Sequence, residues 1–118
     1  MTAAHEKLLN DLVDIVVKED ASDLHLSEGR LPTIRVSNFL IPLAKMPVMT
    51  HENMEGFLSI LLADMNKKEF VANKETNFAY NHNGSKRFRC NTYMSLGKIS
   101  LAMRLIPSRI KTFDELRL

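Results

Sequence analysis

Apolar residues recur at Leu8, Leu9, Leu12, Val13 and Val16. This is helical spacing with one buried stripe, and it predicts a helix from His5 to about Lys18 that ends near Glu19-Asp20. The period then drops to two. Asp23-Leu24-His25-Leu26 alternates polar and apolar, Ser27-Glu28-Gly29-Arg30 reads as a turn, and Thr33-Ile34-Arg35-Val36 alternates again, with Pro32 tolerated at the strand's start. Ser37-Asn38 predicts a tight hairpin turn, since Asn accepts the left-handed conformation, and Phe39-Leu40-Ile41 forms a third short strand. Thr50 is placed to cap a second helix, with Asn53 where a capping box usually has Glu or Gln. Met54, Phe57, Leu58, Leu61, Leu62 and Met65 follow at helical spacing, and Asn66 predicts the cap of a shorter helix running through Phe70 to about Lys74.

The last third returns to β. Phe78 and Tyr80 alternate with polar neighbours, and Asn81-His82-Asn83-Gly84 has turn chemistry. Lys86 to Tyr93 predicts a strand with Phe88 and Cys90 on one face, and Ile99, Leu101, Met103 and Leu105 share a face of the next, which Pro107 ends. Thr112-Phe113-Asp114-Glu115-Leu116 looks like the first turn of a further helix. The order αβββααβββ predicts an α+β fold, with helices packed on a largely antiparallel sheet.

The final hairpin contains one physical oddity. A loop at Leu96-Gly97 sets Ser95 opposite Lys98, so Phe88 faces Leu105, Cys90 faces Met103 and Thr92 faces Leu101, all toward the core. The same register sets Arg89 opposite Arg104 on the other face, with Arg87 nearby. Like charges directly opposite destabilise a sheet, and arginine keeps its charge at any ordinary pH. Either an anion such as phosphate or carboxylate lies between the two planar donor groups, or nearby Asp, Glu or water compensates them. A one-residue slip would expose Phe88 and the Ile99/Leu101/Met103 series, so the register is well specified.

Composition narrows the picture. The 118 residues suit one domain, and 45% hydrophobic with 25% charged is ordinary for a folded chain. The net charge is only +2, and acids interleave the bases, so no nucleic-acid partner is expected. The single cysteine, Cys90, excludes an internal disulfide and agrees with a reducing cytoplasm. No signal-peptide core or membrane-spanning run is expected in these residues. Neither Gly-Lys-Ser/Thr nor His-Glu-x-x-His occurs, so no enzymatic activity is expected of this chain alone.

Other candidates have bland readings beside the sharp ones. Asp23 and His25 share a strand face and suit metal or acid–base chemistry, but a hydrogen-bonded structural pair near a sheet edge is the commoner arrangement, and no third ligand is visible. His51 and Glu52 begin a helix, where an acid suits the dipole, and carry no assigned chemistry. His5 and His82 read as exposed. The seven methionines suit either an adaptable groove or core packing, and the spacing of Met54 and Met65 favours core. Cys90, beside Phe88, reads as packing rather than as a nucleophile.

Five short segments carry a resemblance. Ala21-Ser22-Asp23-Leu24-His25-Leu26, Pro32 to Arg35-Val36, Arg87-Phe88-Arg89-Cys90-Asn91, Arg104 to Pro107-Ser108, and Thr112-Phe113-Asp114-Glu115-Leu116 resemble, in order and spacing, the N-terminal part of type IV pilus and type II secretion motor ATPases, above all the twitching-motility, PilT-type retraction branch. The resemblance implies a PAS-like domain over 1–118, with 112–118 a linker or the start of the next element. It implies a downstream RecA-like domain that binds ATP and Mg, assembly into a cytoplasmic homohexamer peripheral to the inner membrane, and action on a pilus platform protein there. Arg89 and Arg104 match family arginines that meet the nucleotide phosphates on ring closure. Asn38 in place of a common Gly, Cys90 in place of Val, and an atypical Tyr93–Lys98 hairpin leave open a retraction motor, an accessory paralogue or a secretion ATPase. Outside the family reading, a freestanding PAS-like ligand sensor and a protein-interaction module are the rivals.

Overall fold

A computed structural model describes residues 2–106. The expectations for Pro107 and for 112–118 lie outside the described residues. The elements run α1 (Thr2–Lys18), β1 (Asp23–Ser27), β2 (Thr33–Val36), β3 (Phe39–Pro42), α2 (His51–Leu61), α3 (Asp64–Asn73), β4 (Glu75–His82), β5 (Lys86–Ser95) and β6 (Lys98–Ile106). This is the α+β order expected. All six strands form one antiparallel sheet in the order β3-β2-β1-β6-β5-β4.

Two three-stranded meanders therefore meet at the centre of the sheet, where β1 pairs with β6. Each meander closes on tight turns with left-handed residues, Ser37-Asn38 at φ 50° and 71° and Leu96-Gly97 at 54° and 77°. Paired positive φ values match the right-handed twist of the flanking strands. α1 packs on β1 and on α2, and α2 packs on β6, so the helices roof one side of the sheet. Between roof and sheet lie Leu12, Val13, Val16, Met54, Phe57 and Phe88, all fully buried. Thr92, also buried there, donates its hydroxyl to the Ser100 carbonyl at 2.8 Å, so the core holds no orphaned hydroxyl at that point.

Four expectations need correction. The capping box at Thr50 and Asn53 forms as predicted, but α2 stops at Leu62, whose backbone is extended (φ −88°, ψ 132°). Ala63, not Asn66, begins α3, and the Asn66 amide donates instead to Thr76 Oγ1 (3.0 Å) and the Asn77 carbonyl (3.1 Å), tying α3 to β4. Met65 consequently leaves the core stripe and is 81% exposed. His82 belongs to β4 and is buried, its ring bridging Asp14 of α1 (2.8 Å) and the Tyr80 hydroxyl (3.0 Å). His5 is half-buried, packed edge-on against Phe57 and over Gly56.

Candidate functional site

The face of the sheet opposite the helices carries the polar residues of β1, β5 and β6 that include Asp23, Arg89 and Arg104. The Leu96-Gly97 turn sets Ser95 opposite Lys98, and the whole register follows: Phe88↔Leu105, Cys90↔Met103, Thr92↔Leu101 and, on the open face, Arg89↔Arg104. The two arginines expected to face one another do so.

The β1–β6 pairing extends this pair into a row across the sheet. Arg35 of β2 lies opposite Asp23 of β1, Asp23 opposite Arg104 of β6, Arg104 opposite Arg89 of β5, and Arg89 opposite Ala79 of β4. The row thus holds three guanidinium groups and one carboxylate, which contacts only Arg104 and Arg35. Arg87, one step along β5's open face, adds a fourth cation near Ile106 and Asn81.

Asp23 compensates the row unevenly. Its Oδ2 accepts from Arg104 Nε at 3.1 Å, its Oδ1 accepts from the Ser22 hydroxyl at 2.6 Å, and Arg35 Nε lies 3.8 Å from Oδ1. Although on the bare face, Asp23 is only 6% exposed. Burial alone would push its carboxyl up, but the Ser22 hydrogen bond and the Arg104 guanidinium outweigh that and hold it below the usual carboxylate range. Arg104 is therefore carboxylate-paired. Arg89 and Arg87, both exposed, form no salt bridge among the described residues.

Two open clefts flank Arg89. One, of about 260 Å³, is lined by Asp23, His25, Asn77, Asn91, Arg89 and Arg104 among others. The other, of about 620 Å³, is lined by Asn77, Phe78, Ala79, Arg87, Arg89 and Ile106. Cationic forks beside amide donors and a small-residue floor suit an oxyanion with several acceptor oxygens. A third cleft, of about 460 Å³, lies at α2 and α3 and is walled mainly by Leu58, Leu62, Phe70, Val71, Met94 and Ile99, a lining that offers a phosphate little.

The remaining candidates resolve into structural roles. Asp23 and His25 are not a hydrogen-bonded pair at a sheet edge: β1 is a central strand, and the carboxylate's partners are Ser22 and Arg104. No group of three His, Cys, Asp or Glu residues suited to a metal occurs among the described residues. Cys90 is buried, which pushes its thiol up to about 12 and removes it as a nucleophile. His51, given no chemistry from sequence, bridges Glu28 (2.6 Å) and Glu55 (3.2 Å), while Glu28 also accepts the Ile99 N–H at 2.8 Å. The Asp23–Arg104 contact was missed from sequence because it depends on β1 lying against β6. No helix of the described residues is long and apolar enough to cross a membrane.

The fold and its sequence relatives place the chain among the N-terminal domains of PilT-type ATPases. It is 32% identical over 108 residues to the type IV pilus retraction ATPase PilT of Pseudomonas aeruginosa PAO1, a match covering 92% of this chain and 31% of that protein. The type IV pilus ATPase PilU of the same organism is 29% identical over 113 residues, covering 96% of this chain and 28% of PilU. Among solved structures, the pilus retraction motor PilT with bound ADP superposes with a TM-score of 0.83 at 24% identity, over 92% of this chain and 32% of that one. The Legionella pneumophila ATPase DotB gives 0.70 at 16% identity, over 85% and 28%. No protein-family model matches the chain. Within its class the chain belongs with the PilT type, as an N-terminal domain, and it spans just under a third of the length of these relatives.

Proposed function

We propose that this domain is the phosphate-sensing lid of a motor ATPase. In the intact protein a RecA-like domain binds ATP with Mg, and the N-terminal domain closes over it as Arg89 and Arg104 reach the phosphates. Hydrolysis and phosphate loss weaken that attraction and release the domain. Around a cytoplasmic homohexamer the swing drives an inner-membrane platform protein, and with it type IV pilus retraction or secretion.

The single observation that carries the reading is the arginine row. Asp23 contacts Arg104 and Arg35 but not Arg89, and Arg89 lies between two open clefts without a carboxylate partner among the described residues. A fold gains nothing from an exposed like-charge pair, whereas a transferring phosphoryl group needs such donors. Replacing Arg89 with Ala in the intact ATPase should lower turnover by about a hundredfold or more, as loss of an arginine finger does, and leave the domain folded. Normal turnover in that variant would falsify the proposal.

The interaction-module reading has one observation in its favour: edge strand β3 leaves Phe39, Leu40 and Ile41 exposed. It predicts that removing the charges at Arg89 and Arg104 spares ATP hydrolysis and abolishes partner binding.

A further inference from the structure

We infer that Asp23 is a positioning residue for Arg104: it holds the guanidinium at its Nε end and leaves the outer fork for phosphate. The inference rests on the phosphate reading above and assigns unlike roles to the two facing arginines.

Position comes first. The backbone before Asp23 is bonded on both sides, Ser22 N–H to the Arg35 carbonyl and Leu105 N–H to the Ser22 carbonyl, each at 2.9 Å. The carboxylate therefore sits at a point fixed by both neighbouring strands. The Ser22 hydroxyl pins Oδ1, which leaves Oδ2 aimed at one partner, Arg104 Nε.

The contact is side-on. A guanidinium carries five N–H donors, and a carboxylate that met the outer fork would occupy the groups a phosphate needs. Here the hydrogen bond to Asp23 uses Nε, and the Arg104 side chain remains 71% exposed. Arg89, directly opposite, has no such tether among the described residues. Arg104 is thus pre-oriented, and Arg89 supplies uncompensated charge.

A carboxylate next to a phosphate site also has an electrostatic cost, since it weakens anion attraction. If Asp23 merely offset repulsion among the arginines, removing its charge would strengthen nucleotide binding and leave turnover intact. If it positions Arg104, removing it misaligns the guanidinium, so nucleotide binding is not strengthened and the main loss appears in kcat.

The experiment is steady-state ATP hydrolysis by the intact ATPase, comparing wild type, D23N, R104A, the double variant D23N/R104A, R104K and R89A. We expect D23N to lower kcat about tenfold without raising KM, and the double variant to be no slower than R104A alone. R104K should be as slow as R104A, because an ammonium has no second, outward-facing fork. D23N turnover within about twofold of wild type, or multiplying effects in the double variant, overturns the inference. R104K near wild-type activity overturns it too, and that result stands even if D23N does not fold. Wild-type turnover in both R89A and R104A would instead sink the phosphate reading itself, a result distinct from a slow R104A beside a normal D23N.

Discussion

Arg89→Thr should stabilise the fold and cripple the motor. Arg89 and Arg104 are direct cross-strand partners, and both are exposed. Two exposed unit charges about 8 Å apart in a medium of dielectric near 80 repel by roughly 0.5 kcal/mol. That is the size of cross-strand side-chain pair energies in general, about 0.2–1 kcal/mol, and like charges directly opposite have the destabilising sign. Asp23 relieves Arg104 in part, so the lower half of that range applies. Threonine removes the repulsion and suits an exposed strand position. The expected gain is about 0.5 kcal/mol at low salt, read from urea denaturation of the chain. At about 1 M salt the Debye length falls to roughly 3 Å and the electrostatic part of the gain should vanish. The same variant in the intact ATPase should lose turnover. Opposite signs in the two assays mark a residue retained at the expense of stability. A loss of about 1 kcal/mol or more on substitution would show that Arg89 contributes packing through its stem, and the argument from wasted charge would collapse.

Three further perturbations test other parts of the fold. A methyl group at Gly56 would fall 2.1 Å from His5 Nδ1, so Gly56→Ala should destabilise wild type by roughly 1–2 kcal/mol, yet stabilise a His5→Ala background by up to about 1 kcal/mol. The same sign in both backgrounds, by denaturant titration, contradicts the packing account. The Glu28 hydrogen bond raises the His51 pKa above its ordinary value, and the nearby charges of Glu28 and Glu55 add to the effect. Its stabilisation is therefore complete below a pH of about 6.5 and is lost as pH rises through the elevated folded value. His51→Gln should accordingly lower Tm at acidic pH and have little effect in alkali, and a pH-independent drop would disprove the linkage. Cys90, 1% exposed and with its thiol pushed up to about 12, should resist thiol reagents in the native protein and react at once in denaturant. Prompt native labelling would contradict its burial.

Much of this domain is legible locally. The β5–β6 register could be read from a two-residue turn and two alternating strands, because period two leaves one solution that buries Phe88, Cys90, Leu101 and Met103 together. The Ser37-Asn38 turn and the Thr50–Asn53 capping box are equally local, each decided within four residues. Local pattern fails where two elements share one period. Leu62 breaks α2 although the apolar spacing runs on to Met65, since an amphipathic period does not record where a backbone turns.

Tertiary structure alone decided how the two meanders join. Sequence alternation states that Asp23 and Arg104 lie off the core face, but not that β1 pairs with β6, a contact between residues 81 apart in the chain. That pairing turns a sheet-edge Asp–His candidate into the buried carboxylate of an arginine row. It is also α1's docking against the sheet that takes His82, a residue in a turn-like segment, out of solvent and gives it Asp14 as partner. The arginine pair was local and could be found from the sequence. What compensates each arginine depends on which strand lies beside it, and long-range packing of apolar faces sets strand order without reference to the polar residues it brings together.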